Sequence, residues 1–143
     1  MRYVLGIDQS TQGTKAVLVD EYGKIAGRAD RAHRQIINGQ GWVSHDLNEI
    51  YENVLAAARA VLDETDILPE QVAAIGISNQ RETTAIWDRN GAPLTHAVVW
   101  QCARAEGTAR SLSAYSEIIR DKTGLKRQKW HGLYITWIYR RMI

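Results

Sequence analysis

The chain has 143 residues, of which 45% are hydrophobic and 24% are charged, so it is long enough to form one domain with a buried core. This composition excludes a disordered or fibrous protein, and no segment reaches the roughly 18–20 apolar residues of a membrane-spanning helix. The single cysteine, Cys102, excludes an internal disulfide and predicts the reducing cytoplasm as the compartment.

The net charge of +2 is distributed unevenly along the chain. Residues 126–143 hold five of the 18 basic residues and no acidic one, which leaves 13 basic and 16 acidic residues in 1–125. A basic tail can indicate nucleic-acid binding. This tail contains no nucleic-acid-binding motif, so we predict no nucleic-acid partner.

Strand signals dominate the first 34 residues. Short apolar runs at Tyr3–Ile7 and Ala16–Val19 flank the polar segment Gln9–Gly13, which predicts a hairpin. A second turn at Glu21–Lys24 leads into a mostly polar third strand, Ile25–Arg34. Two tight turns in succession predict that the sheet begins antiparallel.

An amphipathic helix is predicted after the loop Asn38–Gly41. Asp46 has the position and chemistry of a helix cap, and Glu49 is predicted to complete a capping box with it. Apolar residues then recur at helical spacing, so the helix is expected to cover Asp46–Glu64.

Strand signals return in the second half of the chain. Apolar runs predict three strands, at Val72–Ile77, Thr83–Trp87 and Thr95–Trp100. Asp88–Gly91 is predicted to be a turn, and a helical pattern over Gln101–Lys122 is expected to break near Ser111–Ser113. The order of three strands, a helix and a strand differs from the strict alternation of a dinucleotide-binding fold. It matches actin-like, ribonuclease-H-like phosphotransferase domains.

The segment from Asp8 to Lys15 has the composition of a phosphate-binding turn. Backbone N–H groups of such a turn converge on anionic oxygens, and Asp8 would hold Mg²⁺ through water, because Mg²⁺ keeps much of its hydration shell. The candidate phosphate ligands are Thr11, Gln12, Gly13, Thr14 and Lys15. The spacing alone is equally compatible with a plain hairpin in which Asp8 caps the turn and Lys15 is solvated.

Four segments, in order, resemble the FGGY family of carbohydrate kinases: Asp8–Lys15, Gly41–Asp46, Ala74–Thr84 and Ala97–Arg104. The third is similar to the segment most diagnostic of glycerol kinases. The resemblance implies an α/β, actin-like and ribonuclease-H-like mixed sheet flanked by helices, of which this chain forms only part of the N-terminal domain. It also implies ATP and Mg²⁺ as cofactors.

The same resemblance implies that Arg81 and Glu82 bind the hydroxyls of glycerol and that Trp100 lies against its carbon face. An adjacent Arg and Glu offer several donors and a pair of acceptor oxygens, which suits a polyol. Outside this motif the two residues would be interpreted as a surface ion pair, and Trp100 is equally compatible with core packing. Trp42 and Trp87 are interpreted as packing residues, and Cys102 is interpreted as structural.

The implied reaction is transfer of the γ-phosphoryl group of Mg-ATP to a primary hydroxyl of glycerol. The family's general-base Asp is expected beyond residue 143, so no residue of this chain is assigned as catalytic, and the chain is expected to be an incomplete fragment, inactive alone. Departures from the usual glycerol kinase sequence at Ser10, Gln12–Thr14 and Lys15 leave a kinase for another sugar or polyol as an alternative. A non-catalytic remnant is another. An actin-like or chaperone-like ATPase is a third, although it should lack Asn79–Thr84.

The resemblance is interrupted after residue 125. Lys126–Gly132 stands where the family has a Pro-Tyr-Phe segment whose Tyr contacts the substrate, and the similarity returns at Trp137–Tyr139, one residue early. A shifted reading frame over Lys126–Tyr134 and a real divergence are both compatible with this pattern. We therefore expect a partial kinase domain over 1–125 and a divergent basic tail over 126–143. The sequence is compatible with a homo-oligomer but predicts no oligomeric state.

Overall fold

A computed structural model describes residues 1–124, and the tail predicted to be divergent lies outside the described residues. The chain forms two compact units. The first comprises Met1–Arg34 and Asp46–Gln80, and the second comprises Gln35–His45 and the residues from Arg81 onward. None of the helices in the described part of the chain is both long and apolar enough to cross a membrane.

Seven strands and three α-helices make up residues 1–124. The strands are β1 (Tyr3–Gln9), β2 (Gly13–Asp20), β3 (Ile25–Ala32), β4 (Ile36–Ile37), β5 (Val43–His45), β6 (Val72–Asn79) and β7 (Ala97–Val98). The helices are α1 (Leu47–Thr65), α2 (Glu106–Ser111) and α3 (Ser116–Thr123). Short 3-10 turns precede β6, α2 and α3.

The first unit is built on a four-stranded mixed sheet with the order β3-β2-β1-β6. β1 pairs antiparallel with β2, and β2 pairs antiparallel with β3, as the two predicted turns require. β6 adds parallel to the other side of β1, so that Gly6 lies opposite Gly76. The predictions of three antiparallel strands, then a helix and a further strand, are confirmed.

One face of this sheet is covered by α1. Side chains alternate between the two faces of a strand, and in β1 and β2 every second residue is buried, from Leu5 and Ile7 to Ala16 and Leu18. These residues share one core with Ala57 and Val61 of α1, together with Ala29 and Ile67. The opposite face of β1 carries Val4, Gly6 and Asp8, none of which is buried.

The cap of α1 is confirmed, but the capping box is not. The Asp46 carboxylate accepts hydrogen bonds from Asn48 N at 2.9 Å and Glu49 N at 3.5 Å. The Glu49 carboxylate instead binds Arg34, through its backbone N at 3.1 Å and its Nε at 3.3 Å. A charged donor from outside the helix therefore replaces the local N–H that a capping box would use.

β6 confirms the strand predicted at Val72–Ile77, and it is an edge strand among the described residues. Every residue of β6 after Val72 is exposed, with Ile75 at 61% and Ile77 at 69%. The reason is that α1 packs against β1, β2 and β3 and leaves the β6 end of this face open.

The second unit contains a small antiparallel sheet with the order β4-β5-β7. The short strands β4 and β5 were not predicted, since two or three residues are too few to give a periodic signal. The strand predicted at Thr83–Trp87 is wrong, because that segment forms only isolated bridges at Thr84 and Trp87. The strand predicted at Thr95–Trp100 shortens to the two residues of β7.

Helices α2 and α3 pack on a second core. Its buried members are Val98, Val99, Cys102, Ala105 and Ala109. α2 ends at Ser111 and α3 begins at Ser116, so the predicted break near Ser111–Ser113 is confirmed. The predicted turn at Asp88–Gly91 also forms, and the Asp88 carboxylate accepts hydrogen bonds from Asn90 N and Ala92 N.

Gly13 allows β2 and β3 to approach each other closely. A Cβ at this position would lie 2.5 Å from the carbonyl oxygen of Arg31, which is backbone and has no freedom to rotate away. Gly76, in β6 of the same sheet, has no atom within 4 Å of an added Cβ. Gly13 is thus required by packing, whereas Gly76 is not.

We predict that Gly13→Ala lowers the free energy of unfolding by about 1–3 kcal/mol, as overpacking does. Gly76→Ala is the matched control and should leave it unchanged or raise it slightly. Urea denaturation of both variants measures the difference. Equal midpoints for Gly13→Ala and wild type would contradict the close approach of the two strands.

Candidate functional site

Asp8 and Lys15 lie opposite each other on paired strands. The β1–β2 register aligns them, and Lys15 Nζ lies 3.9 Å from Asp8 Oδ2. Both side chains are about half exposed, at 52% and 45%. Strand alternation directs them to the sheet face opposite α1, so a carboxylate and an ammonium group are open to solvent beside the hairpin turn.

Two sets of hydrogen bonds stabilise the turn between β1 and β2: one within the turn itself and one from His33. Ser10 N donates to Gly13 O at 2.8 Å, and Ser10 Oγ donates to the same oxygen at 3.1 Å. His33 N donates to Gln12 O at 3.4 Å, and His33 Nε2 lies 3.0 Å from Thr11 O. A carbonyl oxygen only accepts, so Nε2 carries the proton in that contact.

A chain of amide hydrogen bonds joins this turn to the end of β6. Gln80 N donates to Gln9 O at 2.7 Å, and Gln80 Nε2 donates to Gln9 Oε1 at 3.1 Å. Gln9 Nε2 then donates to Ser10 O at 2.9 Å. Gln9 is only 8% exposed, so these bonds are largely shielded from water. The local sequence around Gln9, Gln80 and His33 gives no signal for these contacts, because the Gln9–Gln80 and His33–Thr11 partners are distant in sequence.

Thr14 differs from the other candidate phosphate ligands in being buried. It is 1% exposed and belongs to the buried set of β2, with Ala16 and Leu18. Its Oγ1 has no hydrogen-bond partner among the described residues. Ser10, Gln12, Gly13, Thr14 and Lys15 nevertheless line one shallow surface pocket together with Asp30, Arg31 and Ala32.

A second carboxylate, that of Asp30, lies beside Lys15 on the neighbouring strand. Asp30 is the cross-strand partner of Lys15 and also binds Arg28 through two hydrogen bonds, at 2.9 and 3.0 Å. The hydrogen bond from Arg28 is the largest cause of the lowered pKa of Asp30, and the charges of Arg28 and Lys15 lower it further. Asp30 is therefore ionised at neutral pH.

The candidate polyol residues all belong to the second unit. Thr84 and Val98 exchange both backbone hydrogen bonds, at 3.0 and 2.9 Å, in an antiparallel bridge. Glu82 lies two residues before one bridge partner, and Trp100 lies two residues after the other. The antiparallel register therefore brings Glu82 and Trp100 to the same end of the bridge.

Glu82 also has an unusual backbone conformation. Its φ is 63°, in the left-handed region, and Asp66 is the only other non-glycine residue of the described chain with a positive φ. Such conformations are costly for L-residues and are concentrated at functional sites. Arg81 and Glu82 are both exposed, and Trp100 is 37% exposed, so all three are accessible to a ligand.

The residues of the first unit are compatible with a magnesium site that uses a single carboxylate. No group of three or more His, Cys, Asp or Glu residues that could hold a metal ion occurs in residues 1–124. Mg²⁺ does not need such a cage, because it commonly binds one or two carboxylates, water and substrate phosphates. Asp8, half exposed beside the turn, has the chemistry and accessibility for this role.

The interpretation of Cys102 as structural is confirmed. Its side chain is fully buried in the second core, and Sγ accepts a hydrogen bond from Val43 N at 3.4 Å. The packing interpretation is wrong for Trp87, which is 62% exposed. Trp42 is partly exposed, at 37%, and its ring packs against the guanidinium group of Arg104.

Comparison with known proteins gives a consistent group of relatives. The chain is 44% identical over 142 residues to glycerol kinase 2 of Thermotoga maritima, covering 96% of this chain and 29% of the relative. The crystal structure of Plasmodium falciparum glycerol kinase with ADP superposes with a TM-score of 0.86 at 35% identity, covering 98% of this chain and 29% of that one. The ligand-bound xylulose kinase of Lactobacillus acidophilus gives a TM-score of 0.83 at 24% identity, covering 94% and 27%.

These matches confirm the predicted actin-like, ribonuclease-H-like fold class. The likeness to the xylulose kinase shows the fold alone. The chain spans 29% of the length of the curated relative. A family described as the FGGY family of carbohydrate kinases, N-terminal domain, matches residues 3–142. The chain therefore belongs to the FGGY family of carbohydrate kinases.

Proposed function

We propose that this chain supplies the phosphate turn and the polyol-binding residues of an ATP-dependent glycerol kinase. The observation that carries the proposal is the Thr84–Val98 bridge, which holds the chain two residues from both Glu82 and Trp100, the residues expected to bind the hydroxyls and the carbon face of one polyol. Glycerol is favoured over other polyols because the relatives at 44% and 35% identity are named glycerol kinases.

The proposed reaction joins a primary hydroxyl oxygen of glycerol to the γ-phosphorus of ATP. The bond from that phosphorus to the β–γ bridging oxygen breaks, ADP leaves, and the hydroxyl proton passes to a general base. We assign no general base among residues 1–124. The protein contributes mainly positioning and charge stabilisation to such a transfer.

Within this proposal the turn residues bind the phosphates. Thr11, Gln12 and Gly13 offer hydrogen-bonding groups, and Lys15 offers a compact positive charge on the open face of the sheet. Thr14 stabilises the base of the turn rather than offering its hydroxyl to a phosphate, since its side chain is buried. Asp8 would hold Mg²⁺, which supplies neutralising charge to the phosphates when it is bound.

Arg81 and Glu82 would orient the polyol through donors and acceptors, and the Trp100 ring would cover its carbon atoms. The unusual backbone of Glu82 supports this role, since costly backbone conformations of this kind are concentrated at functional sites. The cytoplasm is the proposed compartment, because it supplies ATP and keeps a lone thiol such as Cys102 reduced.

Activity is best tested in a hybrid kinase, in which this chain replaces the 142 matched residues of the Thermotoga maritima enzyme. Glycerol-dependent release of ADP by the hybrid is the expected result. A folded hybrid that binds ATP but transfers phosphate to xylulose rather than glycerol would contradict the proposed substrate.

We predict that Asp8→Asn lowers kcat of the hybrid kinase by about 10²–10³, because a charge that holds the hydrated ion is lost. Tm should change little, since an exposed ion pair such as Asp8–Lys15 contributes roughly 0–1 kcal/mol. Asp20→Ala is the control, because Asp20 does cap a turn, accepting from Tyr22 N and Lys24 N at 2.9 Å each. It should lower Tm and spare kcat. An Asp8→Asn variant with normal kcat would leave Asp8 as a residue of a plain hairpin.

The two turn threonines should respond differently to the loss of their hydroxyls. Thr14→Val removes a buried hydroxyl that has no partner within residues 1–124, so it should raise stability by up to about 1 kcal/mol and leave the Kd for ATP unchanged. Thr11→Val should weaken ATP binding about tenfold, because a hydrogen bond to a charged phosphate is lost. Calorimetric titration with ATP measures both. Weaker binding in Thr14→Val would mean that the core opens to admit a phosphate.

We predict that Arg81→Ala lowers kcat/KM for glycerol about tenfold to a hundredfold, because polar groups of the bound polyol are left unpaired. The KM for ATP should stay unchanged. Arg89→Ala is the matched control, since it removes an exposed arginine from the turn Asp88–Gly91 in the same unit. If both variants keep the wild-type kcat/KM, Arg81 is an ordinary surface residue.

A further inference from the structure

Arg104 makes an unusual number of contacts for a residue outside the proposed site. Its Nη2 donates to Ser44 Oγ at 2.6 Å and to Val43 O at 3.1 Å. Its Nε donates to Cys102 Sγ at 3.1 Å. The guanidinium carbon also lies 5.3 Å from the ring centre of Trp42, within cation–π distance.

These contacts join two segments that are far apart in sequence. Val43 and Ser44 begin β5 and Trp42 directly precedes it, whereas Cys102 lies just after β7. Cys102 Sγ also accepts from Val43 N at 3.4 Å, so the sulfur and the guanidinium group bind the same backbone segment side by side. All of these groups belong to the second unit.

In sequence, Trp100 lies between Val98 and Cys102, and the contacts of Arg104 bear on both of these residues. On one side, Val98 of β7 pairs with Ser44, whose hydroxyl Arg104 binds. On the other side, Cys102 N donates to Val99 O at 3.0 Å and closes a turn around Trp100. The backbone before Trp100 is therefore paired with a direct partner of Arg104, and the backbone after it contains another.

We infer that Arg104 is a positioning residue that fixes the orientation of Trp100, and with it the apolar wall of the polyol site. The inference rests on the proposed function for its consequence in catalysis. A lysine is a poor replacement, because one ammonium group does not reproduce the planar fork that binds Ser44 and Cys102 while it stacks on Trp42. We assign Arg104 no contact with the substrate.

The test compares Arg104→Lys with Arg110→Lys in the hybrid kinase. Arg110 is an exposed arginine of α2, paired with Glu106 at 2.9 Å, and serves as the matched control. Arg104→Lys should raise KM for glycerol about tenfold or more, as displaced binding groups do, with KM for ATP unchanged. Arg110→Lys should change neither. A lower Tm with unchanged KM for glycerol would overturn the inference, because it would reduce Arg104 to a stabilising residue.

A second measurement uses the 143-residue chain labelled with 5-fluorotryptophan. Its ¹⁹F spectrum reports the surroundings of each of the five tryptophans, and Trp100→Phe assigns the relevant signal. Arg104→Lys should shift the Trp100 signal and leave that of exposed Trp87 in place. An unmoved Trp100 signal in a folded variant overturns the inference. A hybrid kinase without glycerol-dependent activity contradicts only the proposed function, because the ¹⁹F signal of Trp100 still tests the role of Arg104.

Discussion

The first unit depends on the pairing of β1 with strands on both of its edges. Its antiparallel register with β2 puts Asp8 opposite Lys15, and its parallel register with β6 puts Gln9 opposite Asn79. Side chains alternate across a strand, so the same register that buries Leu5 and Ile7 under α1 exposes Asp8 on the other face. A shift of one residue would exchange core and site, and the burial of α1 against the sheet opposes such a shift.

The second unit also depends on a strand with neighbours on both of its edges. Val98 is fully buried and pairs with Ser44 on one side and Thr84 on the other. Both backbone groups of Val98 bond to Thr84, and β5 lies along its other edge, so Val98 has little freedom and fixes the chain on either side of it. That chain includes Glu82 and Trp100, and the costly backbone of Glu82 is tolerated beside this rigid point.

Buried hydrogen bonds of side chains support the proposed phosphate turn in the first unit and, separately, the proposed polyol residues in the second. The Gln9–Gln80 amide pair and His33 hold the turn between β1 and β2, and Arg104 with Cys102 holds the turn around Trp100. These groups are partly or fully buried, where hydrogen bonds are stronger and unpaired groups more costly than at the surface. The positioning groups are thus more enclosed than the residues they position, as expected where ligands must reach the latter from solvent.

The sequence by itself determined the features that depend on local chemistry. The hairpins, the Asp46 cap, α1, β6 and the break between α2 and α3 follow from periodicity and turn residues, and the family follows from four short motifs. Only the tertiary structure decided which hydroxyl of the turn is enclosed, that Glu49 binds Arg34 rather than its own helix, and that β6 is exposed. It also replaced the strand predicted at Thr83–Trp87 with two isolated bridges and shortened the strand predicted at Thr95–Trp100 to Ala97–Val98. The physical reason is that burial, edge position and long-range hydrogen bonds depend on residues distant along the chain, whereas propensity and spacing report only on near neighbours.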